Sequence, residues 1–280
     1  MLCNLAAHYL VNNYNVLYIT CEMDERKISQ RIDANLLNIT LNEVVKLPEK
    51  IFIDSLNKIK SRTQARLKVK EYPAGTANTN HFKALLTEYK QKHGFVPDVI
   101  MVDYLNICAS ARLKSSDSSN SYGYVKSIAE ELRALAQELE LPIWTATQSN
   151  RGGQDNSDMD ITNTSESMGL PHTLDFFLGM IRTDELAAMG QILCKQLKTR
   201  YGDINYKNKF CIGFDVNRMK TFDIEDHAQD DIIQNTNIDD VEPEFSSYYK
   251  EGVKSSGLKQ GGTAIVSKKK QPGSFSGFQF

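Results

Sequence analysis

A chain of 280 residues with 41% hydrophobic and 24% charged content has the makeup of a soluble folded protein, one large α/β domain with appendages or two small domains. Its formal net charge of −2 excludes a global basic field, so any hold on nucleic acid must come from local patches. No apolar run reaches membrane-spanning length, no basic-then-apolar leader opens the chain, and the five cysteines stand singly without a CxxC pair. That pattern argues for reduced thiols in a cytosol rather than a disulfide framework or a zinc site.

In MLCNLAAHYLVNN the apolar residues Leu2, Leu5, Ala6, Tyr9 and Leu10 fall at helical spacing with no capping residue ahead, as in a helix whose beginning is absent. NVLYITCEM predicts a strand ending in Glu22, followed by a helix over about 25–37. RLKVKEYP is a second strand candidate, and residues 81–93 read as a helix. In PDVIMVDYLN, residues 97–106, four apolar residues from Val99 to Val102 run straight into Asp103, the pattern of a strand covered on both faces. A polar loop, SARLKSSDSSNSYGY, leads into the amphipathic helix VKSIAEELRALAQELE, and LPIWTATQ predicts a short strand. The polar segment after it is long for a connection inside a compact domain, which points to function or mobility.

Four strand-like segments with short links come next: DFFLGMIR, QILCKQLKTRYGD, KNKFCIGFD and NRMKTFDI. Strand–helix alternation followed by a meander predicts an α/β fold, a mainly parallel sheet extended by antiparallel strands. From about His227 the composition turns acidic and then rich in Lys, Gly and Ser. Residues 1–226 are therefore expected to fold, and 227–280 to form a disordered tail with too few apolar residues to repay ordering.

Three strands of the alternating part end in a polar group: Glu22, Asp103 and Gln148. Side by side in a parallel sheet, their tips would converge on the crevice at the carboxyl ends of the strands, where such sheets bind ligands. A carboxylate that orients water, another that holds Mg²⁺ through its waters, and an amide that senses a phosphate are what nucleoside-triphosphate hydrolysis needs. Further on, KQLKTRYGD places Lys198 and Arg200 on one face of a late strand. On the residues alone, basic side chains guarding a solvated sheet edge are the simpler reading. A cationic finger reaching the γ-phosphate bound by a neighbouring subunit is the other. Loops 109–124 and 149–169 follow the Asp103 and Gln148 strands and carry Arg112, Lys114 and Arg151 among Ser, Asn and Gly, a mixture suited to phosphate-backbone contacts. His8, His93 and His227 have no partner at metal or triad spacing, and Trp144 reads as core.

Taken together, ITCEMDERKISQRIDANLL, VIMVDYL, SIAEELRALAQELELPIW, TATQSNR and KQLKTRYGD resemble, in sequence and spacing over roughly residues 1–225, the ATPase domain of DnaB-type hexameric replicative helicases, above all those of large tailed phages. The resemblance implies a RecA-like P-loop ATPase core, ATP and Mg²⁺ as cofactors, a homo-hexameric ring, and 5′–3′ translocation on single-stranded DNA with duplex unwinding. Primase and a helicase loader are implied partners, in the cytoplasm of the host if a phage encodes the chain. Carried over residue by residue, Glu22 matches the glutamate that activates the attacking water, Asp103 the Mg²⁺-associated aspartate of the Walker B strand, and Gln148 the residue linking the γ-phosphate to the DNA loops. Arg200 matches the arginine finger acting in trans, with Lys198 its neighbour. Glu166, Ser167, Met168 and Gly169 match a loop that touches the DNA backbone in the pore.

One family motif is absent: no GxxxxGK[ST] occurs in these 280 residues. In the family that Walker A loop cradles the phosphates through backbone N–H groups, and its strand precedes the helix with which this sequence opens. Three readings follow. The chain is the C-terminal portion of a replicative helicase, inactive alone and completed by a separate Walker A-bearing segment if the gene is split; or a non-catalytic paralogue serving as a ring or DNA-binding component; or a different RecA-like ATPase. Retention of Glu22, Asp103, Gln148 and Arg200 together favours the first.

Overall fold

The computed structural model describes residues 1–113, 121–148 and 169–225. Lys114, Arg151, Glu166, Ser167 and Met168, and the tail from 227, lie outside the described residues.

Four strands, β1 (Val16–Thr20), β2 (Leu67–Glu71), β3 (Val99–Asp103) and β4 (Ile143–Thr145), form a parallel sheet in the order β2-β1-β3-β4. The two central strands, β1 and β3, are apolar throughout except at their last residues, because helices cover both faces. Alternate side chains serve opposite sides. Val16, Tyr18, Val99 and Met101 pack with Ala6 and Leu10 of α1 (Leu2–Val11) and Ile28 and Ile32 of α2 (Glu25–Leu37). Leu17, Ile19, Ile100 and Val102 pack with Phe82 of α5 (Thr79–His93) and Leu132 and Leu135 of α6 (Ser121–Leu139). The register sets Thr20 beside Asp103 and Val102 beside Thr145, so the three strands end at one level.

Two helices that the element assignments above do not include lie between α2 and β2: α3 (Leu41–Lys46) and α4 (Glu49–Lys60). α3 starts with a capping box in which Thr40 and Glu43 satisfy each other's backbone N–H. α4 buries no residue fully and leaves Ile51 and Ile53 about half exposed, so its apolar stripe is weakly used.

The meander forms a second, antiparallel sheet of β5 (Phe176–Ile181), β6 (Gln191–Thr199), β7 (Lys209–Asp215) and β8 (Lys220–Asp223), paired in that order. The one-turn helix α7 (Leu170–Thr173) leads into β5, and α8 (Asp184–Ala188) joins β5 to β6. Polar side chains tie this sheet to the helices of the first. Asn35 donates to Asn4 Oδ1 at 2.9 Å and to the Met219 carbonyl at 2.6 Å, and Asn4 donates to Thr221 Oγ1 at 2.7 Å. Among the described residues β4 pairs only with β3 and β5 only with β6. A cavity of about 370 Å³ lies at these two edges, lined by Leu132, Arg133, Ile143, Trp144 and Phe176 among others. All five cysteines are free thiols, as their spacing predicts.

Candidate nucleotide site

Glu22 owes its position to a turn built by Thr20. The Thr20 hydroxyl donates to the Met23 carbonyl at 2.9 Å and accepts from the Met23 N–H at 3.0 Å. The Cys21 N–H continues the pairing of β1 with β3 by donating to the Asp103 carbonyl at 2.7 Å. Chain direction is thus fixed on both sides of Glu22, whose side chain is exposed at the strand tip. Asp24 then caps α2 by accepting from the Arg26 N–H at 2.7 Å.

Asp103, half-buried on the neighbouring strand, accepts a hydrogen bond from the Tyr18 hydroxyl to Oδ2 at 2.8 Å. Burial first, then the neighbouring Cys3 and Asp103, push the Tyr18 phenol far above its ordinary range, so it stays a protonated donor. One carboxylate oxygen is therefore fixed from within the sheet, and Oδ1 has no partner among the described residues. Gln148, exposed beyond β4, donates from Nε2 to the Tyr104 hydroxyl at 3.3 Å. The structure thus sets the three sequence-predicted tips on the adjacent strands β1, β3 and β4, at one end of the sheet.

No group of three or more His, Cys, Asp or Glu side chains among the described residues could cage a metal ion. Mg²⁺ carried on nucleotide phosphates takes one or two carboxylates and keeps several waters. The open oxygen of Asp103 fits the role of holding it.

The cationic residues sit on the second sheet. Leu197 is buried, and Lys198 at the end of β6 and Arg200 just beyond it both turn toward α7. Lys198 Nζ donates to the Pro171 carbonyl, and Arg200 Nη2 approaches the His172 carbonyl at 3.4 Å. Arg200 Nε also pairs with Asp175 Oδ1 at 2.7 Å. Desolvation, then the guanidiniums of Arg200 and Arg133, hold the Lys198 ammonium below its usual range, with Asp175 opposing them. Gly169 stands at the N-terminus of α7. Arg112, exposed, points back to Glu130 at 3.5 Å.

Sequence reasoning missed several residues on which these depend. Glu131, 5% exposed, accepts from Ser110 Oγ at 2.5 Å, from the Ala111 N–H at 2.8 Å and from the Arg112 N–H at 3.3 Å. It anchors the start of the loop that carries Arg112. An acid on an amphipathic helix carries no signal of that kind, because the helical pattern alone assigns it to solvent. Thr20 and Tyr18 were readable only as strand formers, and Asp175 only as the start of a strand.

The model of the DnaB-like helicase C-terminal domain matches residues 1–168, more than half of the chain. A DnaB-like replicative helicase of Enterobacteria phage T4 is 47% identical over 229 residues, 80% of this chain and 48% of the relative. The chain spans about half the length of that curated relative. A solved DnaB-like replicative helicase, described with its interactions with primase, superposes with a TM-score of 0.65 at 15% identity, covering 80% of this chain and 54% of the other. A second solved chain, described as an ATPase domain, gives 0.64 at 16% identity, with 80% of each chain covered. These two likenesses bear on the fold alone and agree with the parallel sheet, covered by helices and joined to antiparallel strands, described above. With the family model spanning the Glu22, Asp103 and Gln148 strands, the chain belongs to the DnaB-like helicase C-terminal domain family.

Proposed function

We propose that residues 1–226 form the RecA-like ATPase portion of a replicative DNA helicase, which couples ATP hydrolysis to 5′–3′ movement on single-stranded DNA and to unwinding of the duplex ahead. What supports this most is the register that places Asp103 beside Thr20, with Glu22 held two residues further by the Thr20 turn. Two carboxylates, one fixed by Tyr18 and one open to solvent, then flank the position of a γ-phosphate. Asp103 would hold Mg²⁺, while Glu22 would orient and deprotonate the attacking water and Gln148 would sense the phosphate. When bound, Mg²⁺ neutralises the charge that develops on the phosphate oxygens.

Arg200, with Lys198 beside it, serves as a finger to the site of a neighbouring subunit in a homo-hexamer. Arg112, Lys114, Arg151 and the 166–169 segment hold single-stranded DNA by its phosphates in the pore. Primase and a loader are the partners of the assembled ring in the cytoplasm, and residues 227–280 are a tail outside the ATPase portion. No helix among the described residues is long and apolar enough to cross a membrane.

The test is Glu22→Gln in the chain joined to a segment bearing a GxxxxGK[ST] loop. Nucleotide binding survives and DNA-stimulated turnover falls at least about a hundredfold, the usual worth of a general base. Near-normal kcat in that variant removes Glu22 from the mechanism and the reading with it.

A further inference from the structure

Three cations converge on one short stretch of backbone. Lys198 Nζ, Arg200 Nη2 and Arg133 Nη1 donate respectively to the carbonyls of Pro171, His172 and Thr173, the last at 2.7 Å. These consecutive carbonyls form the C-terminal end of α7, where no intrahelical N–H remains to satisfy them and where positive charge is favoured. Asp175 closes the group. Its Oδ1 lies 2.7 Å from Arg200 Nε and 3.0 Å from Arg133 Nη2, and its main-chain carbonyl accepts from the Arg200 N–H at 2.8 Å.

The side chains of Arg200 and Asp175 are 38% and 46% exposed, so their ion pair adds little to folding stability. Its consequence is orientation. A guanidinium carries five N–H donors in one rigid plane. Here Nε–H faces Asp175 and one Nη2–H faces the His172 carbonyl, so the edge nearest the backbone is occupied. The outer fork, Nη1 with the second Nη2–H, has no partner among the described residues. It is also the edge farthest from the main chain, and a fork of two parallel N–H groups matches a phosphate bidentately. A carboxylate on that fork would compete with a phosphate, whereas on Nε it aims the fork without blocking it.

We propose that Asp175 is the positioning residue of the cationic pair: together with the α7 carbonyls it turns the Arg200 guanidinium end-on, so that its outer fork meets the γ-phosphate bound by a neighbouring subunit at full reach. The inference rests on the reading of Arg200 as a finger acting in trans. Arg133, shared on the same carboxylate oxygen, keeps Asp175 from following Arg200 outward.

The experiment measures DNA-stimulated turnover in the ring assembled from the chain joined to a segment bearing a GxxxxGK[ST] loop, for Asp175→Asn, Asp175→Glu, Arg200→Ala and Glu22→Gln, alone and mixed. Asp175→Asn lowers kcat about ten- to a hundredfold with the KM for ATP unchanged, since misplacing a reacting group by about 1 Å costs that much. Asp175→Glu, which keeps the charge, restores part of it. Asp175→Asn subunits regain activity when mixed with Glu22→Gln subunits but not with Arg200→Ala subunits, because the first mixture re-creates intact interfaces and the second does not. A merely structural role would instead raise KM, lower the melting temperature, and respond alike to both mixtures; that result overturns the proposal. Normal kcat in Asp175→Asn beside a large loss in Arg200→Ala also overturns it, while leaving the finger in place. Normal kcat in Arg200→Ala removes the finger reading itself and this inference with it.

Discussion

The parallel and antiparallel sheets hold their functional side chains by different means. In the parallel sheet the acids stand at the ends of strands buried on both faces, within two apolar clusters that include Leu17, Ile19, Ile100 and Val102 on one side and Val16, Tyr18, Val99 and Met101 on the other. In the antiparallel sheet the cluster is small, with Ile181, Leu186, Leu193 and Cys211 at its centre. There the cations are held by backbone carbonyls and one carboxylate. A deep core fixes an atom by packing, and its cost of deformation is high. A polar cradle near the surface fixes orientation but yields to a competing ligand. On the proposed roles, acids that hold still and cations that engage and release a neighbour's phosphate would each be on the region suited to them.

The largest expected effect tests the proposed pairing of the two sheets across a subunit boundary. Arg200→Ala and Glu22→Gln each reduce turnover, by about a thousandfold or more for the finger. Mixed rings regain activity, since one kind of interface then has both groups intact. Absence of rescue at every ratio, with mixed rings demonstrated, places Arg200 and Glu22 in the same site.

The contrast in core depth predicts a difference in stability. Ile100, fully buried between β1, β4 and the α5–α6 layer, is expected to cost about 3–5 kcal/mol on truncation to Ala. Leu193, equally buried but in the small cluster, is expected at the lower end of the range, near 2 kcal/mol, because fewer neighbours frame the void. Urea melts of the two variants decide it. Equal losses would mean that the antiparallel sheet draws its stability from the first through links such as Asn35 to Met219.

How legible this was depended on the kind of interaction. Strands β1 and β3 announced themselves because burial on both faces demands unbroken apolar runs, and Glu22 and Asp103 stood out as the acids that end those runs. The antiparallel strands were readable from their short links. α3 and α4 were missed for different reasons: α3 has only six residues, whereas the spacing of Phe52, Leu56 and Ile59 on α4 was a helical signal the sequence carried and the assignment passed over. For α3 the Thr40–Glu43 capping box was the available signal. The supports of the site were illegible for a different reason. Tyr18 to Asp103, Glu131 to the 110–112 backbone, and Asp175 to Arg133 and Arg200 are pairings between residues 85, 19 to 21, and 42 and 25 positions apart, set by tertiary structure and not by local pattern.

The loop that follows β3 permits a finer test. Glu131→Gln removes the charge that gathers the Ser110 hydroxyl and two backbone N–H groups, and is expected to loosen the base of the Arg112 loop. If that loop holds DNA phosphates, affinity for single-stranded DNA falls several-fold and the log–log salt slope flattens by about 0.7 for each phosphate no longer engaged. A weakened affinity with an unchanged slope would assign Glu131 to the fold and place the DNA elsewhere.

The smallest effect concerns a weak point within the well-packed region. Asp33, half-buried on α2, has no hydrogen-bond or ion-pair partner among the described residues, and desolvation pushes its pKa up to about 6. An unfolded aspartate titrates near 3.9, so the folded state holds this proton more tightly than the unfolded one. The sign follows from linkage. Below about pH 4 both states are protonated and the group costs nothing beyond burial of a neutral acid. Between about pH 4 and pH 6 the unfolded state ionises while the folded state keeps its proton, so stability falls across that window and is level above it. The full shift corresponds to about 3 kcal/mol, and partial exposure brings the expected penalty nearer 1 kcal/mol. Asp33→Asn, which cannot ionise, is therefore expected to raise the melting temperature at pH 7.5 and to leave it unchanged at pH 4. A gain of the same size at both pH values would trace the effect to packing of the side chain rather than to its charge.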